Sequence, residues 1–433
     1  MKHSLLKGFL AVICVILTVA VLYASDSAEK GKNVPVARYW MSVATQKMSI
    51  PGMPEDMPGM GGMFGKLGGA TRSLQLQVNS SKPAPAEPAA THDIPPGQNM
   101  GDTLPLLTPP PVKERRGEPV EREMPEHFEK PKARMLMYWG CDEKVREGQP
   151  RVIDTEKMGP LEFGKALSGR SGSQQYLPSP RSGQVYAEWP NDRKRVDVPK
   201  DASLKGDHLV HGNYLPDIRF TLGEQQDFMA PVEFTSVTGK RAGSLRFQWR
   251  AIPTSIGYFV MAIAHSEKTG ETIIWSSSEV AEPGYGLMDY LPGSDVRHFI
   301  KEKVVMPPQT TSCSIPAGIF KDAEGASLQF IAYGEDLSIV YPPKPKDPVK
   351  PWNPVWSAHV RLKSTGMLPL VDTEQEKHGR PKTKGRDYSS RETGREYTAQ
   401  KAGRDYSSGT GAETQEKGKL GAPLKILKGL FGF

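Results

Sequence analysis

Between Gly243 and Thr365 the chain is cut into short apolar runs by Gly, Pro and Ser. They read LRFQWRAI, IGYFVMAIAHS, ETIIWSSS, KVVMPP, ASLQFIAY, LSIVYPP and WSAHVRLKST. Most are too short for a stable amphipathic helix and are rich in β-branched and aromatic residues, so they predict strands. Many short strands separated by turn signals predict a sandwich of antiparallel sheets. Upstream, RYWMSVAT (38–45) predicts a strand, and RSLQLQV (72–78) alternates cleanly. Its Leu74, Leu76 and Val78 face one way, while Gln75 and Gln77 face the other. RMLMYWGC (134–141) predicts a buried strand, residues 208–222 a strand, turn and strand, and residues 232–237 a further strand. Two short helices are expected. One covers 160–167; the other covers 294–303, with Ser294 as cap, Asp295 in the first turn and Val296, Phe299 and Ile300 on one face.

The pair LRFQW and IGYFVMA, with Trp249 on the first segment and Tyr258 on the second, resembles fibronectin type III and related immunoglobulin-like modules. The resemblance covers about 20 of 433 residues and implies an immunoglobulin-like sandwich over 243–368. The helix at 294–303 departs from that pattern. YWGC (138–141), GNYLPDIRF (212–220) and RLKSTGM (361–367) together resemble exported bacterial proteins of unknown function, which implies no particular activity. The expected fold is therefore mainly β, with one or two antiparallel immunoglobulin-like sandwich domains, short helical insertions and long disordered segments. The first domain comprises 34–79 and 134–238; the second is 243–368.

The ends predict an address. Lys2 and Lys7 precede an unbroken apolar run from Gly8 to Ala24, and SDSAEKGK follows. This is the layout of a secretory signal peptide over residues 1–27. The run also approaches the roughly 17–25 residues that span a bilayer, so an uncleaved N-terminal anchor is the alternative. Either way the remainder is exported, to the periplasm or cell surface. Of the 39 prolines many fall in 80–133, which reads as a linker because proline removes backbone donors and favours extended chain. After Leu370, GRDYSS, GREYTA and GRDYSS recur every nine residues, and 371–419 reads as a disordered tail. The last segment, 420–433, is amphipathic if helical: Leu424, Leu427 and Phe431 align, with Leu430 beside them and Lys425 and Lys428 opposite. Such a segment suits a membrane surface or a partner groove, and equally suits packing on its own chain.

The net charge of +7 is dispersed, with no basic arm, so nucleic acid is not an expected partner. Residues 51–65, PGMPEDMPGMGGMFG, carry Met53, Met57, Met60 and Met63. Thioethers at this spacing could hold Cu(I), the one cofactor the sequence suggests. The other reading is an adaptable apolar contact loop. Cys141 and Cys313 either form a disulfide, closing a 172-residue loop worth about 4–5 kcal/mol in the chain-entropy treatment, or remain separate buried thiols. Asp207, His208 and His211 are poor metal ligands together, because strand positions three apart face opposite ways. Residues 159–166 imitate a phosphate loop but have Ala166 where a hydroxyl is needed. There is no GxSxG, HExxH or CxxC motif. Trp139, Trp249 and Trp275 are expected in the core. Trp189, Trp352 and Trp356 lie in proline-containing segments, where they could stack on a sugar or seal the edge of a core.

The resulting expectation is an exported, non-catalytic envelope protein that binds an envelope protein or membrane surface through the Met/Gly-rich loop and the amphipathic C-terminus. The alternatives are a periplasmic copper-binding protein and a carbohydrate-binding or carbohydrate-active protein.

Overall fold

The alternation at Leu74, Leu76 and Val78 forms strand β2 (Thr71–Ser80), antiparallel to β1 (Ala37–Met48). A computed structural model describes residues 34–49, 69–109, 134–180, 184–191 and 196–370. The leader (1–27), Met53, Met57, Met60 and Met63, the repeat tail, and Leu424, Leu427, Leu430 and Phe431 lie outside the described residues. The chain is mainly β. On the side of β1 away from β2 runs β17 (Trp356–Leu370), parallel to β1 from Ala37 opposite Trp356 to Met48 opposite Met367.

These strands belong to one large sheet. Its other members are β5 (Arg134–Trp139), β6 (Arg151–Asp154), β7 (Val185–Trp189), β12 (Ser255–Ser266), β13 (Glu271–Ser276), β15 (Gly325–Gly334) and β16 (Leu337–Tyr341). The order is β6-β5-β13-β12-β15-β17-β1-β2-β7; β16 follows β15 along the same edge of β17. Two smaller sheets complete the fold. The first contains β3 (Ala90–Asp93), β4 (Thr103–Leu106), β8 (Gly206–Gly212) and β9 (Ile218–Leu222). The second contains β10 (Phe234–Gly239), β11 (Leu245–Trp249) and β14 (Ser312–Ile315).

The period of two divides β12 between two cores. Tyr258, Val260, Ala262 and Ala264 join the main core, which also takes Leu76, Val210, Phe220, Phe247 and Trp249 from the other strands. Phe259 and Met261 point to the opposite face, where helix α2 (Gly293–Lys301; α1 is Pro160–Leu167) contributes Val296 and Phe299. Each such side chain, once buried, stabilises by about 1.5–3 kcal/mol relative to exposure. The smaller sheets thus cover one face of the large sheet, and α2 covers part of the other.

Several expectations are corrected. Residues 34–79 with 134–238, and residues 243–368, do not form two separate sandwiches. β1, β2, β5 and β7 share a sheet with β12, β13, β15 and β17, and that sheet is mixed because β1–β17 and β5–β13 pair in parallel. Non-local pairing of this kind leaves no local trace in sequence. Residues 80–109 are not merely linker, since Ala90–Asp93 bonds to both β4 and β8. β5 is only half-buried, because just one short strand separates it from the sheet edge. KVVMPP forms no strand; Val304 and Val305 fill the second core, and only Met306 makes an isolated bridge, to Tyr258. Ser294 does not cap α2, whose N-cap position is Pro292.

Candidate functional site

The outer face of β7-β2-β1-β17 is where the large sheet is not lined by apolar side chains. Ala358, Val360 and Leu362 point into the main core, so His359, Arg361 and Lys363 point outward. Tyr39, Met41 and Val43 are likewise inward, which turns Trp40 and Ser42 outward. Register then sets two rows across the strands: Gln77–Trp40–His359, and Gln75–Ser42–Arg361. The Trp40 and His359 rings lie 4.1 Å apart. Beyond Gln77, its Nε2 donates to Tyr186 OH at 3.1 Å, and Tyr186 donates to Glu188 Oε2 at 2.5 Å. Burial, then the Glu188 bond, raise the Tyr186 phenol far above its ordinary value.

Arg361 dominates the electrostatics. It is only 9% exposed. Its Nε donates to Ser42 Oγ at 2.8 Å and its Nη1 to Gln175 Oε1 at 3.1 Å. The guanidinium lies 4.2 Å from the Tyr290 ring centre and 5.5 Å from that of Trp40. Among the described residues no carboxylate lies within ion-pair distance of it. The nearby Asp289 is bound instead to Lys363 at 2.7 Å. Burial holds the Arg361 guanidinium below its ordinary value, against the opposing pull of Tyr290 and Asp289. Burial also lowers His359, although Asp336, 3.7 Å away, favours its charged form.

Residues 168–180 form a strap without regular structure that reaches this face from the α2 side. Arg170 bonds to Glu282 and Glu302, Ser173 Oγ donates to Asp295 Oδ1 at 3.0 Å, and Gln175 accepts from Arg361. Glycine makes the close approach feasible. A Cβ at Gly169 would stand 1.9 Å from Glu282 Oε1, and one at Gly172 would stand 2.6 Å from Leu291 Cδ2.

A second polar cluster is internal. Tyr39 OH lies 3.1 Å from His92 Nδ1, His92 Nε2 lies 2.9 Å from His208 Nδ1, and His208 Nε2 lies 2.7 Å from the Leu204 carbonyl oxygen. The His208 ring stacks on Phe220, with 5.0 Å between centres. A cleft of about 390 Å³ lies alongside, lined by Asp93, Asp207, Arg219 and Thr221 among others. His211 points away from His208 and bonds to Thr91 and Asp93. Among the described residues no three His, Cys, Asp or Glu converge as metal ligands.

Cys141, just after β5, and Cys313 of β14 are joined by a disulfide. The tryptophans redistribute. Trp249 and Trp275 are core, but so are Trp189 and Trp356, which lie on strands rather than in loops, while Trp139 and Trp352 are half-buried. Residues 160–167 are helix α1 rather than a phosphate loop. Trp40, Arg361 and Gln175 were not singled out from sequence. The alternation of AHVRLK at 358–363 carried the signal for the face, but nothing local announced the strap. No protein-family model matches the chain, and no curated protein matches it.

Proposed function

We propose that the chain is an exported, non-catalytic binding protein of the cell envelope and that the outer face of β7-β2-β1-β17 is its ligand surface. The observation that carries this reading is the face itself: aromatic, amide and cationic side chains stand in register on rigid strands, and a strap reaches over them. Sites on sheet strands hold their geometry better than sites on loops. Export is supported by the apolar leader and agrees with a disulfide, which persists in oxidising compartments. The Met/Gly-rich segment and the C-terminal amphipathic segment remain the further contacts the sequence suggests.

The test is fractionation and crosslinking of cells producing the full chain, compared with Trp40→Ala and Gln75→Ala variants. The expected result is export and association with the envelope, weakened by either substitution. A full-length cytosolic product, or association unaltered by both variants, overturns the reading.

A further inference from the structure

A buried guanidinium without an acid is unusual, because removing a charge from water is costly unless a counter-charge or several strong hydrogen bonds replace the solvent. Arg361 has two neutral acceptors, Ser42 and Gln175, and two rings. One of those acceptors belongs to the strap. The guanidinium fork matches a carboxylate in a bidentate manner, and such a pair is stronger than a bond to a neutral amide. Gln175 Oε1 therefore stands where a carboxylate oxygen would bind better.

The charge count selects among anions. Lys363 is matched by Asp289, whereas the single charge of Arg361 has no carboxylate within ion-pair distance among the described residues. That suits a carboxylate rather than a phosphate dianion. The surroundings select the rest of the ligand. Trp40 and Tyr290 flank the guanidinium, and Gln75 and Gln77 extend the face along β2. Aromatic faces with planar amides beside them suit a sugar ring, whose C–H faces stack and whose hydroxyls need both donors and acceptors. On either side of Trp40, Gln77 Oε1 and His359 Nε2 are buried without a hydrogen-bond partner among the described residues.

Resting on the reading of this face as a binding surface, we infer that Arg361 recognises the carboxylate of an acidic sugar, and that Gln175 holds the carboxylate's place until the ligand displaces it. The strap is then a latch. Arg170 and Ser173 fix its near end, and the Gln175 contact is the one exchanged.

The experiment is calorimetric titration of the full chain with trigalacturonate, its methyl ester and acetate. The acid is expected to bind at least about tenfold more tightly than the ester, as a site built around one polar contact rejects the analogue lacking it. Arg361→Lys keeps the charge but loses the fork, and is expected to lose about tenfold or more in affinity for the acid. Gln175→Glu supplies the carboxylate from within the chain. It is expected to raise the melting temperature and to weaken acid binding by a similar factor. Equal binding of acid and ester, or wild-type acid affinity in Gln175→Glu, overturns the inference. If Arg361→Lys lacks a cooperative melting transition, Gln175→Glu decides alone. Acetate binding as tightly as the trisaccharide overturns the sugar assignment. If no saccharide binds while envelope association still depends on Trp40, the inference falls and the face reading stands; if that dependence is also missing, the face reading falls with it.

Discussion

His92 Nε2 and His208 Nδ1 meet at 2.9 Å inside the main core, and neither residue is more than 2% exposed. Their bonding partners fix the protons. The Leu204 carbonyl can only accept, so His208 carries its proton on Nε2 and accepts at Nδ1. His92 then donates from Nε2 and accepts at Nδ1 from Tyr39 OH. Every polar atom of both rings is satisfied with both histidines neutral, and a proton added to either would face another donor.

Stability should therefore fall in acid. Burial, followed by the mutual effect of His208, pushes His92 well below its ordinary value. Burial also lowers His208, although the Leu204 bond and Asp207 favour its charged form. The unfolded chain binds protons at these sites near pH 6.5 while the folded chain does not. Their contribution is complete above about pH 6.5 and is lost as pH falls toward the lowered folded values, with a limiting slope of about 2.7 kcal/mol per pH unit for two groups. Thermal melts between pH 7.5 and 5 check this; a flat melting temperature would contradict it.

Reducing Cys141–Cys313, or replacing both with Ala, frees a loop closed across 172 residues of sequence. The chain-entropy treatment sets the loss near 4–5 kcal/mol, the upper end of what such links provide. Urea titrations with and without reductant should show a lower midpoint for the reduced protein. An unchanged midpoint would mean that the unfolded chain gains little freedom when the link opens.

Trp249 ties the three-stranded sheet to the large one. Its ring meets Tyr258 at 5.7 Å and Phe330 at 5.0 Å, both on the large sheet. Trp249→Ala should destabilise by about 3–5 kcal/mol, the usual range for removing a core aromatic. Denaturant unfolding reads the change directly.

Gly172→Ala should lift the strap without unfolding the body. The new methyl would overlap Leu291 Cδ2, while the strap's other anchors lie outside the main core. Limited proteolysis should cut within 168–180 several times faster, while the melting temperature shifts by less than about 2 °C, as expected for a loss well below 1 kcal/mol in a chain of this size. A large fall in melting temperature would show that the strap is integral to the fold.

Much of the fold class was legible because alternation is local. Leu74, Leu76 and Val78 announce a strand with one buried side wherever it is placed. Which strands become neighbours is not local: Ser42 and Arg361, bonded across β1 and β17, are 319 residues apart. The same gap hid the candidate site. RYWMSVAT offers Tyr39 on one face and Trp40 on the other, and either could be the core side. Only the inward turn of Ala358, Val360 and Leu362 on the neighbouring strand decides it. Arg361 is legible as an outward residue, but its burial depends on the strap, whose local sign is the run SGRSGS, which reads as ordinary loop.

Parallel pairing of β1 with β17 has a directional consequence. The segment before Ala37 attaches beside Trp356, whereas the segment after Leu370 and the connection after Met48 both attach at the far end of the same two strands. At about 3.3 Å per residue, the ends of β17 are separated by roughly 45 Å. Chain that enters this pair at Ala37 and chain that leaves it at Met48 or Leu370 therefore do so nearly a whole strand length apart.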